Sequence, residues 1–142
     1  MSKANGFEND VVALTFNKSL ASHLGTLATT GNTDLYVSLH TGDPGESGNQ
    51  TTSECAYGAY ARVAVVRTSS GWTVSGNQVQ NTAVINFPEC TSGSEVVSHF
   101  AIGTASSSTG QILYKGALTA SRTVSSGITL QFPATSITIT ED

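Results

Sequence analysis

The feature that most constrains the fold is a change in hydrophobic spacing near residue 34. Before it, apolar residues recur at every fourth position, which is the spacing of one helix face: Val12, Phe16, Leu20 and Leu24. After it, apolar and polar residues alternate from Leu35 to His40, which is the spacing of a half-buried strand. The pattern predicts an N-terminal helix over 7–27 and β-structure over 34–140.

The ends of the predicted helix follow from cap chemistry. Asn9 and Asp10 are good capping residues just ahead of the apolar stripe, and Gly25 can end a helix in the left-handed conformation. An amphipathic helix needs an apolar partner. We therefore expect the stripe to pack on a sheet of this chain or on a neighbouring subunit.

The rest of the chain contains short apolar or alternating runs that are separated by Gly, Pro, Ser and Asn. These runs predict strands at 60–67, 72–74, 78–80, 83–87, 96–102, 112–118, 122–124, 128–132 and 136–140. Helical segments do not alternate with them, which excludes an α/β fold. We predict an all-β fold, a jelly-roll-like antiparallel β-sandwich with one N-terminal α-helix, as a single domain over 1–142.

A long loop interrupts the predicted strands over residues 41–57. Its first ten residues contain three glycines and a proline, so regular structure is not expected there. A loop of this length in a compact domain usually has a function or is disordered. We expect it to act as a clamp on a partner.

The composition restricts the partners. Charged residues make up 11% of the chain, against about 25% in ordinary soluble domains, and the net charge is −4. The six Lys and Arg residues are scattered, so no basic patch for nucleic acid is expected. No apolar run approaches the ~20 residues of a membrane span, and no secretory signal is evident.

Several segments, in order, resemble a family of small tailed-phage virion proteins. The matching stretches read LYVSLHTGDPGE, GAYAR, NTAVINFP, VSHFAIG, LYKGAL and RTVSSG, at 35–46, 58–62, 81–88, 97–103, 113–118 and 122–127. Each motif alone is weak, but their common order over 34–127 is specific. Members of the family are often called tail fibre proteins or virion proteins of unknown role.

The resemblance implies a structural protein of the phage particle. Because the chain is compact and has no fibrous repeat, the first hypothesis is a capsid decoration or cement protein that binds the major capsid protein and stabilises the shell. We expect a homo-oligomer, a dimer or a trimer, on the capsid exterior after assembly in the host cytoplasm. The alternative is a tail fibre, tail-associated or receptor-binding component.

No residue pattern indicates catalysis. The chain has no Gly-x-Ser-x-Gly motif for a serine nucleophile, and the spacing of His40, Asp43 and Glu46 fits no recognised metal site. We expect no enzymatic activity, no metal and no cofactor. Cys55 and Cys90 either remain free thiols or form a disulfide, and neither belongs to the family pattern.

The candidate interface residues are aromatic or charged side chains near the motifs. Arg62 either holds a carboxylate in a bidentate fork or faces outward, and Arg122 lies on a second matched β segment. For Trp72, a core position is the alternative. The remaining candidates are Phe16, Tyr36, His40, Asp43, Tyr57 and Tyr60.

Overall fold

The computed structural model describes residues 5–17 and 33–141, except for the side chains of residues 5–8 and 10. The elements are α1 (Asn5–Asn17), β1 (Asp34–His40), β2 (Val63–Val66), β3 (Trp72–Ser75), β4 (Gln78–Asn81), β5 (Ile85–Asn86), β6 (Ser94–Gly103), β7 (Ile112–Ser125), β8 (Gln131–Phe132) and β9 (Thr138–Thr140). The predicted fold class is confirmed. In the described ranges, one N-terminal helix precedes antiparallel sheets that are consistent with a β-sandwich.

The predicted helix is present, but it begins earlier than expected. It begins at Asn5, so Asn9 and Asp10 lie inside it and the capping assignment was wrong. Val12 and Phe16 of the predicted stripe are fully buried. Leu20, Leu24 and the predicted end at Gly25 lie outside the described residues.

The chain divides into two compact units. The first comprises Met1–Asp34, Val65–Ile85 and Phe132–Asp142, and the second comprises Leu35–Ala64 and Asn86–Gln131. The single domain over 1–142 stays a prediction from the sequence.

The core of the first unit forms between the helix and a three-stranded antiparallel sheet in the order β3-β4-β9. Helix α1 packs on β3 and β4. The ring of Phe16 meets Trp72 edge-on, with ring centroids 4.7 Å apart, an arrangement that aromatic quadrupoles favour. Both side chains are fully buried, as is Val79 on β4. The two described residues of the helix stripe, Val12 and Phe16, are therefore covered by this chain.

A glycine turn and a buried asparagine fix the connections of this unit. Gly76 has a φ of 61° in the two-residue turn between β3 and β4, where glycine avoids the steric cost of a left-handed conformation. Asn81 is fully buried. Its amide nitrogen donates to the carbonyls of Ala83 and Pro133, and its side-chain oxygen accepts from the Ile137 amide.

Arg67 joins the strand region of the first unit to the helix. Its Nε donates to the carbonyl of Thr15 at 2.7 Å and its Nη2 to that of Leu14 at 3.0 Å. Burial lowers the pKa of Arg67.

The second unit is built around β1, β6 and β7 of the four-stranded sheet with the order β2-β1-β6-β7. Leu35, Val37 and Leu39 of β1 are buried, as their alternation predicts. Ser38 and His40 are also fully buried, although they point to the opposite face. The end of β1 is therefore covered on both faces.

β7 is one continuous strand where the sequence predicts two. Between Ala117 and Arg122 it advances five residues, while β6 advances two, from His99 to Val97. The extra residues bulge out of the ladder at the position of the predicted break. A bulge keeps the chain in the sheet while it changes the local register, and the two short predicted segments therefore merge.

Four other predicted strands are shorter in the structure, and one of them is β9, which covers three of the residues predicted at 136–140. β2 covers four of the residues predicted at 60–67, and β5 and β8 are two-residue strands that pair with each other. Tyr60 and Arg62 consequently lie before β2, in irregular structure. The reason is local, because the side chains of these two residues bond to the preceding loop.

The contact of Phe16 with Trp72 leads to a stability prediction. Phe16→Ala removes a fully buried ring, so we expect it to lower the free energy of unfolding by about 3–5 kcal/mol. Urea denaturation followed by Trp72 fluorescence measures this loss. Val84→Ala, at a side chain that is 46% exposed, is the control and should change stability by less than about 0.5 kcal/mol. Unchanged stability of Phe16→Ala would contradict the packing of the helix.

Candidate interaction site

The loop over residues 41–57, called loop 41–57 below, is irregular, as predicted, but it is tied to the strands around it. The Thr41 amide donates to the carbonyl of Ser53, and the Cys55 amide donates to the carbonyl of Leu39. These two bonds bring the ends of the loop together at the end of β1. The loop is a defined structure that side chains hold at several further points.

Gln50 is the first of these points. It is fully buried, its side-chain oxygen accepts from the Ala105 amide at 2.9 Å, and its main-chain amide donates to Gly110. A Cβ at Gly110 would lie 2.0 Å from Gln50 Oε1, and one at Gly103 would lie 2.2 Å from its Cδ. Both glycines are needed because the Gln50 side chain occupies the space that a larger residue at either position would fill.

His40 is the second point. Its Nδ1 lies 2.9 Å from the carbonyl of Thr52, and its Nε2 lies 2.9 Å from Ser38 Oγ. Because a carbonyl can only accept, Nδ1 carries a proton, and in the neutral ring Nε2 accepts from the serine hydroxyl. Burial lowers the pKa of His40, against the opposing effects of the Thr52 bond and Glu54.

The third point is an ion pair between Glu54 and Arg62. Arg62 Nε donates to Glu54 Oε1 at 2.6 Å, and Nη2 donates to Oε2 at 2.7 Å. The Arg62 side chain is 3% exposed and that of Glu54 is 14% exposed. Arg62 thus holds a carboxylate in a bidentate fork, which is the strongest geometry for this pair. The bonds to Glu54 raise the pKa of Arg62.

The same ion pair also binds other segments of the second unit. Arg62 also donates to the carbonyls of Ala105 and Ser108. The Tyr60 hydroxyl donates to Glu54 Oε1 and accepts from the Leu39 amide. Burial of this hydroxyl is the main cause that raises the pKa of Tyr60.

The end of the loop is held by Glu95 of β6. Its Oε2 accepts from the amides of Ala56 and Tyr57, at 2.8 and 3.0 Å. Cys55 and Cys90 are both buried free thiols, so the disulfide that the sequence left open is not formed. Burial, with the nearby Glu95 and Glu54 charges, raises the pKa of Cys55 to about 12, so this thiol is not reactive at neutral pH.

The outer side of the loop forms a small cleft with the start of β7. The cleft has a volume of about 270 Å³ and is lined by Gly45, Glu46 and Gly48 of the loop and by residues 112–115 of β7. Lys115 Nζ lies 3.0 Å from Asp43 Oδ1 and 3.1 Å from Glu46 Oε1. The Gly45 amide, followed by Lys115, lowers the pKa of Asp43, and the two carboxylates raise the pKa of Lys115.

The structure divides the predicted interface residues into core and surface. Five have fully or nearly fully buried side chains: Phe16, His40, Tyr57, Arg62 and Trp72. Tyr36 and Tyr60 are half-buried, whereas Asp43 and Arg122 are exposed. Of the nine, only Asp43 takes part in the charged group at the cleft, through Lys115.

Several site residues are absent from the sequence-based selection. Gln50, Glu95 and Lys115 hold or line the loop, but an isolated Gln, Glu or Lys in a polar segment carries no periodic signal. Gly103 and Gly110 lie next to strands, where a glycine indicates that another group approaches closely. The sequence does not show which group that is. What approaches is Gln50, which lies more than 50 positions earlier in the chain.

Comparison with known proteins gives one family. Residues 11–140 match the family of the podophage GP4 fiber I protein gp80. The chain belongs to the gp80 family. No curated protein matches the chain. Membership of the gp80 family supports the resemblance to tailed-phage virion proteins and gives the chain a structural role in the phage particle.

Within residues 5–17 and 33–141, no three His, Cys, Asp or Glu side chains are grouped so that they could hold a metal ion. No helix in the described ranges is long and apolar enough to cross a membrane.

The Glu54–Arg62 pair leads to a second stability prediction. Glu54→Gln leaves a buried guanidinium without its counter-charge, so we expect a loss of about 3 kcal/mol in the free energy of unfolding. Chemical denaturation measures it. Glu46→Gln is the matched control, because the exposed Glu46 contact with Lys115 should add nothing measurable. Equal stabilities of the two variants would contradict the role of the buried pair.

His40 leads to a prediction on pH. Because its folded pKa lies below the unfolded value, the unfolded chain binds more protons as the pH falls through about 6.5. The stability of this gp80-family protein should therefore decrease from pH 7 towards pH 5. His40→Asn keeps a donor for Thr52 and removes the titration, so its stability should vary less with pH.

Urea unfolding of the unaltered chain and of His40→Asn, at several pH values between 5 and 7, tests this pH dependence. Most carboxylates titrate below that range and contribute little to it. His99→Asn is the matched change at the other described histidine. A loss of slope as large in His99→Asn as in His40→Asn would contradict the assignment.

Proposed function

We propose that this chain is a non-enzymatic component of the phage tail fibre and that loop 41–57 and its cleft with β7 form its contact surface. The observation that carries the proposal is the match of residues 11–140 to a podophage fiber protein family. The match covers both units of the chain. It favours the fibre role over capsid decoration, the first hypothesis from the sequence.

The organisation of loop 41–57 supports a contact role. Gln50, His40 and the Glu54–Arg62 pair hold the loop from inside, while Asp43, Glu46, Ser47, Thr51 and Ser53 are exposed. A surface that is already ordered loses little conformational entropy when a partner binds. The loop can therefore bind as a preformed surface.

The hydrogen bonds of the same side chains support the non-enzymatic part of the proposal. The two most buried polar groups of the loop region, His40 and Gln50, are occupied by hydrogen bonds to the chain itself. Glu54 is held by Arg62 and Tyr60, and Glu95 by two amides. These groups act as structural ties, and the mechanism is burial of surface at an interface.

The location and copy number of the protein in the particle test the fibre role. Quantitative mass spectrometry of purified particles should give far fewer copies than the major capsid protein. Electron microscopy of particles labelled with an antibody to this chain should show the label at the tail. Copies that approach those of the major capsid protein, with label over the shell, would overturn the proposal in favour of capsid decoration.

A further inference from the structure

The cleft beside loop 41–57 runs along a strand edge. Its β7 wall consists of four consecutive residues, Ile112, Leu113, Tyr114 and Lys115. Consecutive side chains of a strand point to opposite faces of its sheet, so one face could not supply all four. The cleft therefore follows the outer edge of β7, where the main chain can be approached.

Among the strands of the described ranges, none lies beyond β7 in its sheet, so β7 is an edge strand there. At one end, Asn49 forms an isolated antiparallel bridge with Gln111. At the other, the bulge between Ala117 and Arg122 interrupts the ladder. Residues 112–117 remain between the two.

The loop wall leaves room for another main chain. Gly45 and Gly48 line it, and Gly45 has no side chain that would keep a neighbouring strand away. A Cβ at Gly45 would meet no atom within 4 Å, so the space beside it is open. Its φ of 74° favours glycine at this position.

The charges of the cleft define the partner further. One ammonium group, on Lys115, faces the two carboxylates of Asp43 and Glu46, which leaves one negative charge in excess. The Glu46 side chain is 91% exposed. It can therefore turn to a second cation without breaking a buried contact.

We propose that this cleft receives an extended segment of another protein of the particle, which pairs as a strand with residues 112–117 and places a Lys or Arg at Glu46. Main-chain pairing supplies the affinity in this mode of recognition, and side chains supply the specificity. The inference rests on the proposed fibre role only for the source of the partner, a neighbouring virion protein.

Overlapping synthetic peptides that cover the other structural proteins of the particle test the inference with the full-length chain. We expect binding to a peptide with a β-branched run that contains Lys or Arg. Glu46→Lys should weaken its binding by about tenfold or more, as expected for a close charge pair across an interface. The same peptide with its basic residue changed to Glu should bind the Glu46→Lys variant better than the unaltered chain.

Glu89→Lys is the matched control, because it changes the net charge equally at an exposed position of the same unit. It should leave peptide binding unchanged. An equal loss in both variants would overturn the contact at Glu46. Failure of every peptide to bind would overturn the docking itself.

Hydrogen exchange of the full-length chain locates the binding. The bound peptide should slow exchange of amides within residues 112–117, and protection confined to other segments would overturn edge pairing. If the chain self-associates with increasing concentration and Glu46→Lys abolishes this, the cleft binds a second copy of the chain. That result would overturn the assignment of another virion protein as the partner. A capsid-derived peptide that binds at the edge, with label over the shell, would support edge pairing and overturn the fibre role alone.

Discussion

The pair formed by Glu54 and Arg62 is the interaction on which the described site depends. The guanidinium binds both oxygens of Glu54 and the carbonyls of Ala105 and Ser108, so one side chain joins three segments of the second unit. Two charges in such desolvated positions stabilise only as a pair, because removal of one leaves the other buried and uncompensated. The position of the loop is therefore set by an ion pair that stabilises the fold only when both charges are in place.

The composition of loop 41–57 explains why polar bonds hold it. From Thr41 to Glu54 the chain contains no aliphatic residue larger than Pro44 and no aromatic residue, so burial of apolar area can contribute little. Gln50, the Thr52 carbonyl and Glu54 provide directional bonds instead. Hydrogen bonds require specific distances and angles, so a loop that they hold adopts one shape where apolar contacts would permit several.

Periodicity predicted the type of the elements but not all of their bounds, and it did not predict the contacts between them. The stripe of Val12 and Phe16 and the alternation along β1 predicted which side chains are buried. The second covered face of β1, with Ser38 and His40, could not be predicted, since it depends on a loop that packs back onto the sheet. The sequence also suggested that Arg62 binds a carboxylate, but Glu54 is chosen by the path of the loop and not by spacing.

The distribution of charge connects the internal contacts to the proposed partner. The chain has ten acidic and six basic residues, and Arg62, Arg67 and Lys115 all contact groups of the chain itself. An interface built on this surface has more carboxylates than cations to offer, and charges of one sign favour partners of the other. An edge strand pairs with almost any extended chain. The excess carboxylate at Glu46 would then discriminate between partners, because the main chain of β7 cannot do so.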